Sequence, residues 1–310
     1  MKQAVLIGPR RSRIEEVAMP AVANDGVLVR VVMSGVCASE LHVWEKGTNE
    51  PLRLGHEVAG EVVEVGREVR DFRAGDRVTG LFNQGFADFA AAPAERVIRI
   101  PDALGYDVAF GEPMACAMSG ARRTDVDLGD RIAVVGLGFM GLTFMQLLRL
   151  KGPVEIVGID LRADARRMGA ALGCDMTFHP DEVRAAGLSD FDLVVEATGT
   201  PEGLTQAGDL TRQHGRLSIL GYHQGGPRSV DMQMWNFKAL EVLNAHERRV
   251  DYRMDCMRRG LALAAAGRID LSPMPTHRFG LDEIDAAFGA LETKPAGFVK
   301  SLVVAGARTH

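Results

Sequence analysis

Three stretches of the chain carry side chains that could do chemistry together. GVCASELHVWEKG places Cys37, Ser39 and His42 close to one another, LGHEVAGEVVEVG sets His56 beside Glu57, and GEPMACAMSG brings Glu112 next to a proline. Each has an ordinary reading when taken alone. Cys37 is a small buried hydrophobe or a nucleophile, His56 a hydrogen-bonded structural histidine, and Glu57 and Glu112 solvated carboxylates. As a set they offer a thiolate, an imidazole and carboxylates, the mixed donors that a catalytic zinc accepts while keeping one position open. Ser39 reads either as a cap of a short helix or as a hydroxyl in a proton path.

A second signal lies further along. VVGLGFMG sets Gly136, Gly138 and Gly141 as GxGxxG between an apolar run and a helical one. The first glycine permits a tight turn, the second lets backbone approach a pyrophosphate, and the third lets helix pack on strand, with helix N–H groups aimed at the anion. The next apolar run, VEIVGID, ends at Asp160, at the distance where a carboxylate can hold ribose hydroxyls. Asp160 would repel a 2′-phosphate, so NAD is favoured over NADP, although Arg162 stands two residues on.

The elements that must position these residues fall into two kinds. From residue 1 to about 100 short β-branched runs broken by Gly, Pro and Asp describe a mostly antiparallel β domain. From about residue 113, nearly continuous apolar strands (DRIAVVGLG, PVEIVGID, FDLVVEATG, GRLSILGY, ALEVLNA) alternate with helical stretches, including PEGLTQAGDLTRQHG. That alternation predicts βαβ units and a parallel, doubly wound sheet, so the fold class is α/β with two domains. The tail reads as helix, helix, strand and is expected to return to the first domain. The predicted division is 1–113 with 248–310, and 114–247 for the dinucleotide-binding domain.

Bulk properties exclude several function classes. With 310 residues, 46% of them hydrophobic, the chain can bury sizeable cores, and a net charge of -5 gives no basic face for nucleic acid. No apolar run approaches a membrane span and the N-terminus lacks a secretory pattern, so a cytoplasmic protein without a membrane or nucleic-acid partner is expected. The four cysteines form no CxxC pair, which argues against a disulfide framework or a cysteine-rich zinc knot.

In these features the sequence resembles the zinc-dependent medium-chain alcohol dehydrogenases, in particular the sorbitol (polyol) and threonine dehydrogenase branch. The likeness is carried by Cys37, Ser39, His42, Trp44 and Glu45; by Gly55, His56, Glu57, Gly60, Gly66 and Val69; by Gly75 to Val78; by Glu112-Pro113; and by the glycine fingerprint. It covers nearly the whole chain in order. The resemblance implies a GroES-like catalytic domain and a Rossmann domain, with zinc on Cys37, His56 and Glu112 and with Glu57 as alternate ligand. It also implies a relay from Ser39 to His42, Glu40 behind the ligands, and Trp44 as either core aromatic or pocket wall. On the dinucleotide side it points to Gly136, Gly138, Phe139, Met140, Gly141, Asp160, Arg162 and Thr198, with Leu220, Gly221 and Tyr222 beside the nicotinamide and His223 a candidate pocket residue. The implied reaction is hydride transfer between a secondary alcohol and NAD. One thiolate and one carboxylate would neutralise the zinc.

The sequence departs from that family in two places. Only TGLFNQG separates GDRV from FADF, where most relatives carry a cysteine-rich lobe with a structural zinc, so a single catalytic zinc is expected. A homodimer or homotetramer remains the expected assembly, with ALEVLNA as a pairing edge. Where polyol dehydrogenases place an arginine just after that strand, LNAHERR offers Asn244, His246 and Glu247, and His246 is expected at the surface. Two other readings compete: a zinc-free quinone or enoyl reductase of the same superfamily, and a non-catalytic dinucleotide-binding protein.

Overall fold

A computed structural model describes residues 1–306, which divide into two compact units. The first comprises Met1–Ala115, Val250–Gly267 and the residues from Leu271 onward; the second comprises Cys116–Arg249 with Arg268–Asp270. The short Arg268–Asp270 piece joins the second unit through Asp270, whose N–H donates to Gln146 Oε1 at 2.7 Å and whose carbonyl accepts from Gln146 Nε2 at 3.0 Å.

The first unit opens with a hairpin, β1 (Lys2–Gly8) and β2 (Arg11–Glu16). Then follow β3 (Gly26–Gly35), α1 (Ala38–Lys46), β4 (Glu57–Val65), β5 (Arg77–Gly80), β6 (Phe89–Pro93), β7 (Val97–Arg99) and the start of α2 (Gly111–Arg123). The β-branched runs form strands because their alternate side chains can be buried: Val27, Val29, Val31, Val58 and Val62 share one apolar cluster. β3 and β4 pair antiparallel with Gly35 opposite Glu57, which brings the end of β3 against the start of β4, next to His56.

The second unit runs β8 (Arg131–Val135), α3 (Phe139–Arg149), β9 (Glu155–Ile159), α4 (Ala163–Leu172), β10 (Met176–Phe178), β11 (Phe191–Glu196), α5 (Pro201–Leu210), β12 (Thr211–Ile219), α6 (Met232–Lys238) and β13 (Glu241–Asn244). Among the described residues its strands form one parallel sheet in the order β10-β9-β8-β11-β12-β13, with the chain reversing direction of travel beside β8. Ile132, Val134, Ile156, Leu193 and Leu217 are fully buried, as continuous apolar strands covered on both faces must be.

The remaining elements are α7 (Val250–Ala265), β14 (Pro275–Gly280), α8 (Ile284–Thr293) and β15 (Lys300–Val304). β15 pairs antiparallel with β3 and parallel with β14, closing the seven-stranded sheet β14-β15-β3-β4-β5-β7 among the described residues, with β6 on β3.

Two local expectations are corrected. The helix expected through GDLTRQHG stops at Leu210, because Thr211 takes extended geometry and begins β12 by pairing with Phe191 of β11. PTHRFG, unassigned in the sequence, is strand β14; it buries only partly and so lacks the alternation that would mark it. No helix among the described residues is long and apolar enough to cross a membrane.

Candidate metal and dinucleotide sites

The donors of the first unit converge. One atom each of Cys37, His56 and Glu57 lies within 4.8 Å of the others, the one such grouping among the described residues. Cys37 precedes α1 in an extended conformation, which turns its thiol back toward the β3–β4 end. His56 sits one residue before β4, and its Nδ1 lies 3.1 Å from Glu40 Oε1, which also accepts the Gly55 N–H at 2.8 Å. Glu40 thus fixes the ring and leaves Nε2 for the metal side, the carboxylate–imidazole arrangement found behind metal-ligating histidines. Burial works against charge on this imidazole, but Cys37 and Glu40 outweigh it and push the His56 pKa up to about 12.

Glu57 is only 4% exposed, and the register that puts it opposite Gly35 leaves no room for a side chain there: a Cβ on Gly35 would fall 1.9 Å from Glu57 Oε2. Its charge is met by Lys300 of β15, whose Nζ donates to Oε1 at 2.8 Å and lies 2.6 Å from Oε2. The same ammonium donates to the Val36 carbonyl at 3.1 Å, one residue from Cys37. Lys300 is itself 5% exposed, so this is a buried pair.

Glu112 stands apart from the close trio. From the first turn of α2 its Oε2 lies 4.0 Å from His56 Nε2, while its Oε1 accepts from Arg253 of α7. These two cations revise the charge count. With Glu57 matched by Lys300 and Glu112 by Arg253, a Cys37 thiolate and the Glu40 carboxylate are the negative groups left facing His56, and together they would neutralise a bound Zn2+.

Ser39 does not cap α1: its hydroxyl donates to Cys37 Sγ at 3.2 Å. His42 follows three residues later, on the same face of the helix and partly exposed. Trp44 proves to be a core aromatic. It is 3% exposed, stacks on Phe288 at 5.4 Å and donates from Nε1 to Asp285 Oδ1 at 2.8 Å, which removes it as a pocket wall.

In the second unit the fingerprint behaves as its glycines require. Gly136 has φ +101°, and a Cβ on Gly141 would lie 1.9 Å from the Gly136 carbonyl oxygen. A Cβ on Gly138, by contrast, would meet nothing within 4 Å: an open cradle at the start of α3, where Phe139 and Met140 present the first helical N–H groups. Asp160 follows β9 and accepts from the Leu137 N–H and the Arg162 N–H, both at 2.8 Å. The Arg162 side chain stays beside Asp160 and Asp164, at 3.7 and 3.9 Å. Thr198, just past β11, donates to Glu196, and Gly221 and Tyr222 follow β12. His246 is half-buried rather than superficial; burial lowers its pKa, its ring meets Tyr222 at 5.6 Å, and its Nε2 lies 3.4 Å from the Gly221 carbonyl.

Known proteins resemble this chain along most of its length. The alcohol dehydrogenase GroES-like domain matches residues 23–102, and the zinc-binding dehydrogenase model matches residues 140–263. The chain is 26% identical to L-threonine 3-dehydrogenase of Burkholderia thailandensis, covering 92% of this chain and 94% of the relative. The alignment spans 328 positions, more than the 310 residues present here, so the relative carries segments that this chain lacks. Among solved structures, 2R,3R-butanediol dehydrogenase of Bacillus subtilis superposes with a TM-score of 0.84 at 26% identity, covering 98% of this chain and 99% of that one. A Sinorhizobium meliloti protein described as a zinc-binding dehydrogenase and solved bound to NADP gives 0.86 at 27% identity, covering 98% of each chain.

Proposed function

The chain belongs to the zinc-dependent medium-chain alcohol dehydrogenase family and is an alcohol oxidoreductase, and from that premise we propose that it transfers a hydride between NAD and a secondary alcohol, a polyol, sugar or other hydroxylated metabolite, at one catalytic zinc. The observation that carries the reading is the convergence of Cys37, His56 and Glu57 within 4.8 Å. The thiolate, the Glu40-oriented imidazole and nearby carboxylates fit zinc by donor chemistry. Cys37 and His56 would hold it, with Glu57 and Glu112 the carboxylates within reach.

Bound zinc supplies the Lewis acidity that lowers the pKa of an alcohol hydroxyl, and the dinucleotide supplies the hydride acceptor. The chain's own residues do the rest. Ser39, next to Cys37, takes the hydroxyl proton, and His42 passes it to solvent. Lys300 and Arg253 keep Glu57 and Glu112 from cancelling the positive charge that favours loss of that proton. Gly136, Gly138 and Gly141 receive the pyrophosphate, and Asp160 takes the ribose hydroxyls, its charge disfavouring the extra phosphate of NADP.

The test is a screen of secondary alcohols, polyols, sugars and amino alcohols for NAD and NADP reduction, with metal analysis of the same preparation. One zinc per chain and activity abolished in Cys37→Ala, with NAD binding retained, is the expected result. A zinc-free chain whose activity survives a chelator would sink the metal reading. A wide preference for NADP would overturn the role of Asp160.

A further inference from the structure

Glu196 ends β11 with its side chain wholly buried, yet the proposed chemistry gives it nothing to do. Its Oε1 accepts from the Thr198 N–H at 2.6 Å, the Thr198 hydroxyl at 2.5 Å and the Gly199 N–H at 2.8 Å. Its backbone carbonyl accepts from the N–H groups of Leu220 and Gly221, at 2.8 and 2.9 Å, at the end of the neighbouring strand. Oε2 is left to His223, whose Nε2 lies 2.9 Å away. On the far side of that ring Arg228 Nε donates to Nδ1 at 3.2 Å, while its guanidinium also holds the carbonyls of Gln224 and Gly226. Arginine has only donors, so Nδ1 accepts and Nε2 carries the proton given to Glu196. The result is an anion, a neutral imidazole and a cation in line, stitching the segment after β12 to the end of β11.

The place of this stitch gives it a function. A bound dinucleotide would set its pyrophosphate over the fingerprint at the end of β8, and Asp160, which would take the adenosine ribose, is at the end of β9 on one side of β8. The other half of the dinucleotide must then extend over the ends of β11 and β12, on the opposite side. Residues 198–199 and 220–223 form that surface, and the packing there is tight: a Cβ on Gly221 would lie 2.4 Å from the Gly199 N and 2.5 Å from Glu196 Oε2.

We infer that His223 is a positioning residue for the nicotinamide half of the dinucleotide: through Glu196 it holds the ends of β11 and β12 in the conformation against which that half binds. This rests on the dinucleotide reading above and adds to it a residue that acts without touching the adenine half.

The experiment titrates the zinc-loaded full chain with NAD and, separately, with ADP-ribose, which lacks the nicotinamide. His223→Ala leaves a buried carboxylate oxygen without its donor, and NAD affinity is expected to fall about tenfold, or about 1.4 kcal/mol, while ADP-ribose stays within about twofold. His223→Gln, whose amide can both donate to Glu196 and accept from Arg228, is expected to recover most of the loss. Arg228→Met provides a second variant that empties no pocket; it is expected to weaken NAD selectively as well. Equal weakening of NAD and ADP-ribose, unchanged NAD affinity, or failure of glutamine to rescue would overturn the inference while leaving dinucleotide binding intact. A native chain that binds neither ligand would overturn the dinucleotide reading itself.

Discussion

Lys300 reaches Glu57 from 243 residues away in the chain, and the pair is buried on both sides. Removing one member of such a pair leaves a charge with no compensation, which costs about 3–5 kcal/mol. Lys300→Met is therefore expected to lower the stability of the metal-free chain by that order, read from denaturant unfolding; an unchanged midpoint would show that the pair contributes nothing. Cys37, His56, Glu57 and Glu40 were legible in the sequence because they stand close together in short motifs with metal-ligand chemistry. Lys300 and Arg253 were not. A single lysine or arginine in a mixed sequence looks like any solvated surface cation, and only the strand and helix that return late in the chain reveal their partners. The compensation of the two carboxylates was hidden for the same reason, and the fate of Trp44 depended on Asp285 and Phe288, again far along the chain.

At the scale of elements, the turn from β8 into α3 separates two roles that the glycine motif merges. Gly141→Ala drives a Cβ into the Gly136 carbonyl and is expected to disrupt the turn, seen as lowered thermal stability together with lost NAD binding. Gly138→Ala meets no atom of the protein and is expected to fold normally while losing at least about tenfold in NAD affinity by titration, because the methyl occupies the anion's cradle. Equal effects from both variants would contradict that division. Asp192 ties β11 to its neighbours in a different way. Burial opposes its charge, but the Arg131 N–H and the Arg212 guanidinium overcome this and hold its pKa below the ordinary carboxylate value. A depressed carboxyl contributes stability above its unfolded pKa and loses it as pH falls through the folded one. Asp192→Asn is thus expected to lower the unfolding free energy at pH 7 by about 1 kcal/mol, read from denaturant titration, with the gap closing on acidification below about pH 4. The parallel sheet as a whole was readable from its apolar runs. The early start of β12 was not, since TRQHG is polar and is drawn into the sheet only by pairing with β11.

At the scale of the whole molecule, metal donors and dinucleotide cradle belong to different units, which the chain builds in an interrupted order. Stripping zinc with a chelator is expected to abolish alcohol oxidation and leave NAD titration unchanged within about twofold; loss of both would mean that the metal holds the second unit's fold as well. β13 is the outer strand of its sheet among the described residues, with Val242 44% exposed. The order of the chain also has a consequence in time. Glu57 leaves the ribosome long before Lys300, by about 12–50 s at synthesis rates of about 5–20 residues per second, and the second unit's strands are complete in that interval. During synthesis the nascent first sheet carries an acid without its partner and an open flank on β3 where β15 will later pair. The dinucleotide unit can therefore mature while still tethered to the ribosome, whereas Glu57 gains its countercharge only when β15, the last strand among the described residues, has emerged.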